Sequence, residues 1–261
     1  MRPIWKGAVS FGLVTIPVGL YRATEDKRPK FRQLRDIDHS PIKQKRVAEN
    51  DGKEVSYESL VKGYEVDKGR YVVFTPDEVS EIMSRGGPGT VDVVQFVDQE
   101  EIDPIYYRSS YYLAPEKTGA KAYRILLNAL EDKGMVGLAR VAIREREYPA
   151  VLRADEGVLI METMYWPDEI REPAFEILEE DVELRDDELA MAGMIIDNLS
   201  GSFDPTEWID ESRELVQIAA QKKVDGEEIV MTGDTAPAAG VVDLMEALKA
   251  SVEATKTKKA V

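Results

Sequence analysis

Short runs of apolar and β-branched residues, separated by glycine and proline, dominate residues 1–165 of the chain. Runs of this kind predict β-strands that have at least one face packed on a core. The predicted strands cover residues 9–21, 71–74, 91–96, 106–113, 136–146 and 158–164. Many short strands with frequent turn residues are typical of a β-barrel or a β-sandwich.

Helical spacing of apolar residues interrupts this strand-rich region twice. Thr75 and Glu78 form a capping-box pattern with Pro76 at the first helical position, which predicts a helix that continues into Met83. Residues 121–133 place their apolar side chains along one face and predict a second helix.

The apolar pattern becomes helical after Pro173. Residues 189–199 repeat leucine, alanine and isoleucine at helical spacing. Asp204 precedes a proline and is expected to cap a further helix that carries Trp208 and Leu215. We therefore expect a mainly β part followed by helices, which is an α+β fold.

The C-terminal part combines a linker of small residues, 233–240, with a short amphipathic helix and a tail that contains three lysines. The apolar stripe of this helix consists of Val241, Leu244, Met245, Leu248 and Val252. Two interpretations remain open. The stripe either docks on its own domain or binds a partner as a recruiting element, which a marginal helix behind a linker can do.

Composition argues against several kinds of chemistry. The chain has no cysteine and one histidine, His39, so disulfides, thiolate nucleophiles, catalytic triads and histidine-rich metal sites have almost no raw material. Among 50 acidic residues, carboxylate pairs arise by chance, and no pair is marked as that of a glycoside hydrolase. We expect no catalytic residue, no metal and no cofactor.

No apolar run approaches the length of a membrane-spanning helix, and the N-terminus lacks the long apolar run of a signal peptide. Together with the absence of cysteine, this predicts a cytoplasmic protein that does not bind a membrane.

Charge is distributed unevenly along the chain. The net charge is −16, yet residues 1–154 carry 25 basic and 23 acidic side chains, which leaves +2, while residues 155–261 carry 9 and 27, which leaves −18. Residues 27–46 alone hold eight basic side chains against two aspartates, which is +6. Phosphate binding depends on the local field because salt screens charges beyond roughly 8–10 Å. The acidic total therefore does not exclude nucleic acid.

Sequence-independent binding to nucleic acid needs lysine and arginine side chains that reach phosphates. The first candidates are Lys27, Arg28, Lys30, Arg32, Arg35, Lys43, Lys45 and Arg46. The second candidates are Arg140, Arg144 and Arg146, which would share one face of a strand over residues 136–146. Arg108 is a weaker candidate, as are Lys6, Arg22, Lys62, Lys117 and Lys121.

Each basic group also has an ordinary structural interpretation. Residues 27–46 could form a solvated basic loop, and the second set could pair across strands with Glu145 or Glu147. A tyrosine cluster favours an alternative function, an OB-like barrel that stacks single-stranded nucleic acid, although strand packing accounts for the same residues. These tyrosines are Tyr106, Tyr107, Tyr111 and Tyr112.

Several segments, taken together and in order, carry a resemblance to a known family. They are residues 4–14 with 17–21, residues 41–46, 60–65, 111–113 and 166–171, and residues 189–192 and 243–248. In these segments the chain resembles the bacterial Ku proteins along nearly its whole length.

The resemblance implies a Ku-type β-barrel core with a strand-and-loop arm, followed by helices and a short C-terminal helix. It implies that two copies form a ring-shaped homodimer through which an end of double-stranded DNA threads. The expected role is sequence-independent end binding in double-strand break repair by non-homologous end joining, in the nucleoid. The expected partner is the multifunctional bacterial ATP-dependent DNA ligase, ligase D, and the chain itself is not expected to be an enzyme.

The resemblance also suggests a division of the chain. Residues 1–180 would form the barrel and arm, and residues 181–232 a helical segment that packs on the core or on the dimer. Residues 233–240 would be the linker, and residues 241–261 the C-terminal partner-recruiting helix with its short basic tail. Some relatives carry cysteines after the basic segment, where this chain has Val47 to Gly52, so a metal or disulfide is not expected there.

Overall fold

The structure is a computed structural model, and it describes residues 1–83, 89–143, 146–178, 180, 182–226 and 244–258. The strands are β1 (Trp5–Phe11), β2 (Val14–Arg22), β3 (Lys62–Asp67), β4 (Arg70–Phe74), β5 (Thr90–Asp98), β6 (Tyr107–Pro115), β7 (Met135–Ile143), β8 (Arg146–Asp155) and β9 (Val158–Met164). The helices are α1 (Pro76–Met83), α2 (Ala120–Lys133), α3 (Asp186–Leu199), α4 (Glu211–Val224) and α5 (Leu244–Lys258).

Seven strands form a closed barrel in the order β1-β2-β6-β9-β8-β7-β5. Six of the neighbouring pairs are antiparallel, and a parallel pairing of β1 with β5, from Ala8 opposite Thr90 to Phe11 opposite Val93, closes the cylinder. Closure leaves the barrel without a free edge, which removes the aggregation liability of an open sheet. The predicted barrel is confirmed.

Strict alternation of side chains builds the barrel core. On β2, Ile16, Val18 and Leu20 point inward and are fully buried, and Leu159 and Met161 do the same on β9. Because neighbouring side chains of a strand point to opposite faces, alternate residues of barrel strands such as β2 and β9 enter one core cluster. The core therefore follows directly from the alternation that the sequence displays.

Helix α2 closes one end of the barrel. Its buried face joins the same core cluster through Tyr123, Leu126 and Leu130. The Tyr123 hydroxyl donates to the carbonyl oxygen of Leu113 at 2.6 Å and accepts from the N–H of Leu159 at 2.7 Å. Since these two residues face each other near the end of β6 and the start of β9, α2 lies at that end of the barrel.

An arm, residues 32–83, is inserted between β2 and β5 in the chain. It contains the β3–β4 hairpin, helix α1, and loops joined by isolated bridges such as Leu34 opposite Pro41. Every residue of β3 and most of β4 are exposed. The predicted start of α1 is confirmed, because Glu78 accepts from the Thr75 N–H at 2.8 Å and donates its own N–H to the Thr75 hydroxyl at 3.2 Å.

Contacts divide the chain into two compact units, residues 1–27 with 32–172, and residues 28–31 with 173–261. In the second unit α5 packs against α3. The proposed domain limits at 180 and 232 remain predictions. The linker 233–240 and Val241 lie outside the described residues, and the side chain of Leu244 is not described either.

Three element predictions were wrong. The strand predicted over 9–21 is two antiparallel strands, β1 and β2, with a turn between Phe11 and Val14. The strand predicted over 136–146 ends at Ile143, and a separate strand, β8, begins at Arg146. The helix predicted from Asp204 begins at Glu211. Asp204 accepts from the N–H two residues on and closes a short turn, whereas Asp210 accepts from the Arg213 N–H three residues on, which is N-cap geometry. Trp208 therefore precedes the helix and is exposed.

Candidate nucleic-acid interface

The basic segment, residues 27–46, lies outside the barrel and has no regular strand, so its side chains do not alternate between two faces. All eight of its basic side chains are exposed. Arg28 and Lys30 group with the second unit, while Lys27 and the five basic residues from Arg32 onward group with the barrel unit. The barrel unit therefore presents most of this charge on its arm.

Several cations of the segment have acidic partners. Arg35 binds the Asp38 carboxylate with two nitrogens, and Asp38 also accepts from Ser40. The Arg35 guanidinium, helped by the Ser40 hydrogen bonds, holds the pKa of Asp38 well below its usual range. Lys45 pairs with Glu54 at 2.7 Å. These pairs fix the loop geometry and lower the charge available to a ligand.

Other cations of the segment keep their charge for a ligand. Arg32 and Lys43 have no ion pair with any residue in the described part of the chain, and both are exposed. Arg46 lies over the Tyr57 ring, with 5.5 Å between the guanidinium carbon and the ring centre. An aromatic contact leaves guanidinium N–H donors available to oxygen acceptors. This arrangement suits contact with phosphate oxygens.

The second predicted group does not share one face. Arg140 lies on the outer face of β7, and its guanidinium is 4.0 Å from the Glu147 carboxylate, which is the cross-strand pairing considered above. Arg146 stands opposite Ile143, a residue that packs against the core, so Arg146 is on the inward side at the barrel end. Arg144 lies outside the described residues.

The barrel end opposite α2 is polar and open. A cavity of about 220 Å³ is lined there by residues from the ends of five strands, β2, β6, β7, β8 and β9, and by the residue that precedes β1. They are Ile4, Arg22, Arg108, Ser109, Tyr111, Ile143, Tyr148 and Thr163. Arg108 is held between aromatic rings, with 5.4 Å from its guanidinium carbon to the ring centre of Tyr148 and 5.2 Å to that of Tyr165.

From the sequence, Arg22 was only a weaker candidate for phosphate contact, although the strand pattern around it carries a further signal. It continues the inward series of Ile16, Val18 and Leu20 by two more residues and so belongs to the same face. Tyr148 was missed because β8 itself was missed. The position of a cation at the end of an apolar alternation is therefore the feature that could have found this cavity.

The tyrosine cluster does not present open rings. Tyr106, Tyr107, Tyr111 and Tyr112 are all half-buried, and Tyr111 packs against the core. The Tyr107 hydroxyl is buried without a hydrogen-bond partner among the described residues, and burial raises its pKa. Strand packing, the ordinary interpretation, accounts for this cluster better than base stacking does.

Within the described residues of the C-terminal stripe, Met245, Leu248 and Val252 are half-buried positions on α5, the helix that packs on α3. Helix α3 exposes further large apolar side chains, including Ile196 at 66% and Leu199 at 64%. The pair of helices therefore forms a composite surface with unburied apolar area.

Two structural findings bear on other classes of site. The described residues contain no group of three or more acidic or histidine side chains placed to hold a metal ion. None of the helices in the described ranges combines the length and apolarity needed to cross a bilayer.

Comparison with known proteins agrees with the fold. The sequence model of the Ku70/Ku80 beta-barrel domain matches residues 10–191. A non-homologous end joining protein Ku of Heliobacterium modesticaldum is 43% identical over 260 residues, which cover 99% of this chain and 94% of that protein. The Ku protein of Bacillus subtilis is 40% identical over 258 residues, covering 98% and 83%.

The relative from Frankia casuarinae, also called non-homologous end joining protein Ku, is 45% identical over 256 residues. These residues are 98% of this chain but 64% of that relative, so the chain spans less than two thirds of its length. A closed seven-stranded barrel with an inserted arm, matched along most of the chain, defines a Ku-type β-barrel protein. The chain belongs to the Ku family, and its bacterial relatives confirm the resemblance predicted from the sequence.

Proposed function

We propose that the chain binds ends of double-stranded DNA without reading their sequence and acts in double-strand break repair by non-homologous end joining. Membership of the Ku family supports this, as do the names of its relatives. Binding would rest on charge and shape, so no side chain needs to reach a base edge. The protein would serve as a scaffold and leave the chemistry to a ligase.

The observation that carries the proposal is the set of exposed, unpaired cations on an arm outside the barrel, represented by Arg32 and Lys43. A loop without strand order can follow a phosphate backbone, because its cations are not fixed to one repeating face. The negative total charge does not oppose this contact, since the acidic residues concentrate after residue 154 and screening limits their reach.

The exposed apolar surface of the arm supports a homodimer. Tyr71 and Val73 on β4 are 59% and 58% exposed, and the hairpin and α1 together line an apolar cavity of about 400 Å³. An isolated two-stranded hairpin is marginally stable in water, and large exposed apolar patches mark interaction sites. A second copy that covers this surface would turn two arms into a closed ring around the duplex.

The proposed ligase contact is the surface of α5 and α3. The described stripe residues of α5, Met245, Leu248 and Val252, are half-buried, and α5 packs against α3. A multifunctional ATP-dependent ligase would therefore either compete with α3 for the stripe or bind both helices together. The exposed leucine and isoleucine side chains of α3 favour the composite surface.

The experiment that tests end binding is a gel-shift titration with linear duplex, covalently closed circular and single-stranded DNA of the same sequence, at low and moderate salt. We expect linear DNA alone to be shifted. We also expect the complex to stay trapped when its ends are closed afterwards. Equal binding of circles would replace the end-specific mechanism by general attraction to a basic patch, and stronger binding of single strands would favour the OB-like alternative.

A further inference from the structure

The polar cavity at the open barrel end combines features that ordinary packing does not explain. Arg22 and Arg108 line the same cavity of about 220 Å³, and no carboxylate of the described residues lines it with them. Neither arginine has an ion pair with a described residue. Two cations that share a recess without a counter-charge repel each other, so the recess favours an anion.

The remaining lining suits an oxyanion. Ser109, Tyr111, Tyr148 and Thr163, which also line the cavity, are residues that carry hydroxyl groups. Thr163 is 2% exposed, and its hydroxyl donates to the Ser109 carbonyl oxygen at 3.3 Å. Hydroxyl and guanidinium donors together are the groups with which proteins bind phosphate oxygens.

Arg108 is held in place in a way that preserves its donors. Its guanidinium carbon is within 5.4 Å of the Tyr148 ring centre and 5.2 Å of the Tyr165 ring centre. Ring contacts attract the charge without accepting all of the five N–H groups. A guanidinium fixed by rings loses less conformational freedom when it binds an anion, which strengthens that binding.

The shape of the cavity selects between kinds of phosphate. Tyr111, Ile143 and Tyr148 also pack against the barrel core, so the cavity ends on closed apolar packing and has no second exit for a strand. A continuous phosphodiester carries one charge and a chain on both sides. A phosphomonoester carries about two charges near pH 7 and has a free end, which matches two guanidinium groups in a blind recess.

We propose that the barrel end formed by Arg22 and Arg108 is a binding site for a phosphomonoester. This inference rests partly on the proposed function, because a DNA end with a terminal phosphate is one source of that group and a free nucleotide is the other. The site lies on the barrel, apart from the arm that is proposed to follow the backbone, so the two contacts can be tested separately.

The experiment uses the full chain and two kinds of probe. Binding of a duplex with 5′-phosphates is compared with binding of the same duplex with 5′-hydroxyls, and deoxythymidine 5′-monophosphate is compared with deoxythymidine by calorimetry. We expect the phosphorylated duplex, the nucleotide or both to bind about tenfold more tightly than the unphosphorylated probe, as charge-assisted hydrogen bonds predict. A preference confined to the nucleotide identifies a free phosphate compound as the ligand.

The variants are Arg108→Gln and Arg22→Gln. The control is Arg124→Gln on the outer face of α2, which removes one exposed charge that has no ion pair with a described residue. Each cavity variant should bring the ratio of phosphorylated to unphosphorylated affinity close to one, while the control keeps it. Thermal unfolding checks that each variant folds, and Arg22→Gln alone carries the test if Arg108→Gln does not fold.

Equal affinity for phosphorylated and unphosphorylated probes of both kinds would overturn the site. If the protein still preferred linear DNA to circles, the proposed end binding would be retained and only the phosphomonoester site would be rejected. Loss of all duplex binding together with retained, Arg108-dependent nucleotide binding would have the opposite meaning: the phosphomonoester site would stand and the proposed function would fail.

Discussion

At the scale of single residues, Tyr123 joins α2 to the barrel by a hydroxyl placed between two strands. Its hydroxyl bridges the Leu113 carbonyl and the Leu159 N–H, and the residue is 5% exposed. These two backbone groups belong to facing residues of β6 and β9, so the side chain completes the strand ladder at the point where the strands begin to separate.

Replacing Tyr123 by phenylalanine should therefore lower the free energy of unfolding by roughly 1–3 kcal/mol, since a buried N–H is left without an acceptor. Urea unfolding followed by circular dichroism measures this. Tyr112→Phe is the matched control, because the Tyr112 hydroxyl makes no hydrogen bond within the described residues. An equal decrease in the free energy of unfolding of the two variants would show that the hydrogen bonds of Tyr123 do not stabilise the fold.

The same residue gives a pH dependence. Burial raises the pKa of Tyr123, so the folded protein holds this proton more tightly than the unfolded chain, whose tyrosine pKa is about 10. The stability that the neutral hydroxyl contributes is fully present below about pH 10, the pKa in the unfolded chain, and is lost as the pH rises towards the higher pKa in the folded protein. The difference in unfolding free energy between the native chain and Tyr123→Phe should shrink above about pH 10. A difference that stays constant up to pH 11 would contradict it.

The inward-facing residues of the barrel can be predicted from the sequence, but the polar cavity at its open end cannot. Alternation alone marks Ile16, Val18 and Leu20 as inward, because period two is a property of any strand. The recess around Arg22 and Arg108 needs the ends of five strands in register, which depends on pairings far apart in the chain. The alternation that ends at Arg22 indicates the face of its side chain, but no local pattern shows which other strand ends meet it.

At the scale of elements, the arm offers a direct test of backbone contact. Arg32→Gln with Lys43→Gln removes two cations that have no ion pair among the described residues. We expect weaker binding to linear duplex and a salt dependence whose logarithmic slope falls by about 0.9 for each lost phosphate contact. Fluorescence anisotropy at several salt concentrations measures both quantities.

The control for the arm is a double variant on α2, Arg124→Gln with Lys133→Gln, which changes the net charge equally at exposed sites outside the arm. If this control weakened binding as much as the arm variant, overall charge and not the arm would be responsible. An unchanged salt slope in the arm variant would remove Arg32 and Lys43 from the interface.

Element prediction from the sequence failed where a turn had no clear marker. The strand predicted over 136–146 merged the end of β7 with the start of β8, because residues 144–146 continue the polar and charged composition without glycine or proline. As a result Arg140 and Arg146 were assigned to one face, whereas pairing across the hairpin puts them on opposite faces. Helix α1, which has a clear capping box, and helix α2, which has a continuous apolar face, were predicted nearly to the residue.

At the scale of the whole molecule, the exposed hairpin of the arm predicts the oligomeric state. Val73→Asp should convert the proposed dimer into a monomer in sedimentation velocity, because a charge placed in the proposed apolar contact is costly to bury. Val94→Asp is the matched control, since Val94 is a similarly exposed valine on barrel strand β5, at 62% against 58%. Dissociation by both variants, or by neither, would place the dimer contact elsewhere.

The sequence predicted a mainly β fold but did not predict which strands pair with each other. Apolar alternation and turn residues favoured a barrel or a sandwich equally, and the parallel pairing of β1 with β5 decides between them. That pairing joins residues some eighty positions apart, beyond any local signal. The family resemblance supplied the barrel and the arm, which physical patterns alone left open.

The insertion of the arm between two strands that both pair with β1 has a consequence for how such a protein can vary. Its two ends are fixed by the barrel whatever lies between them, and the entropy of closing a longer loop grows by only about 0.6 kcal/mol for each doubling of length. The arm can therefore lengthen, shorten or change its charge while the barrel keeps its stability. The arm and the barrel can therefore be changed separately, and a designer could replace the arm without redesigning the barrel.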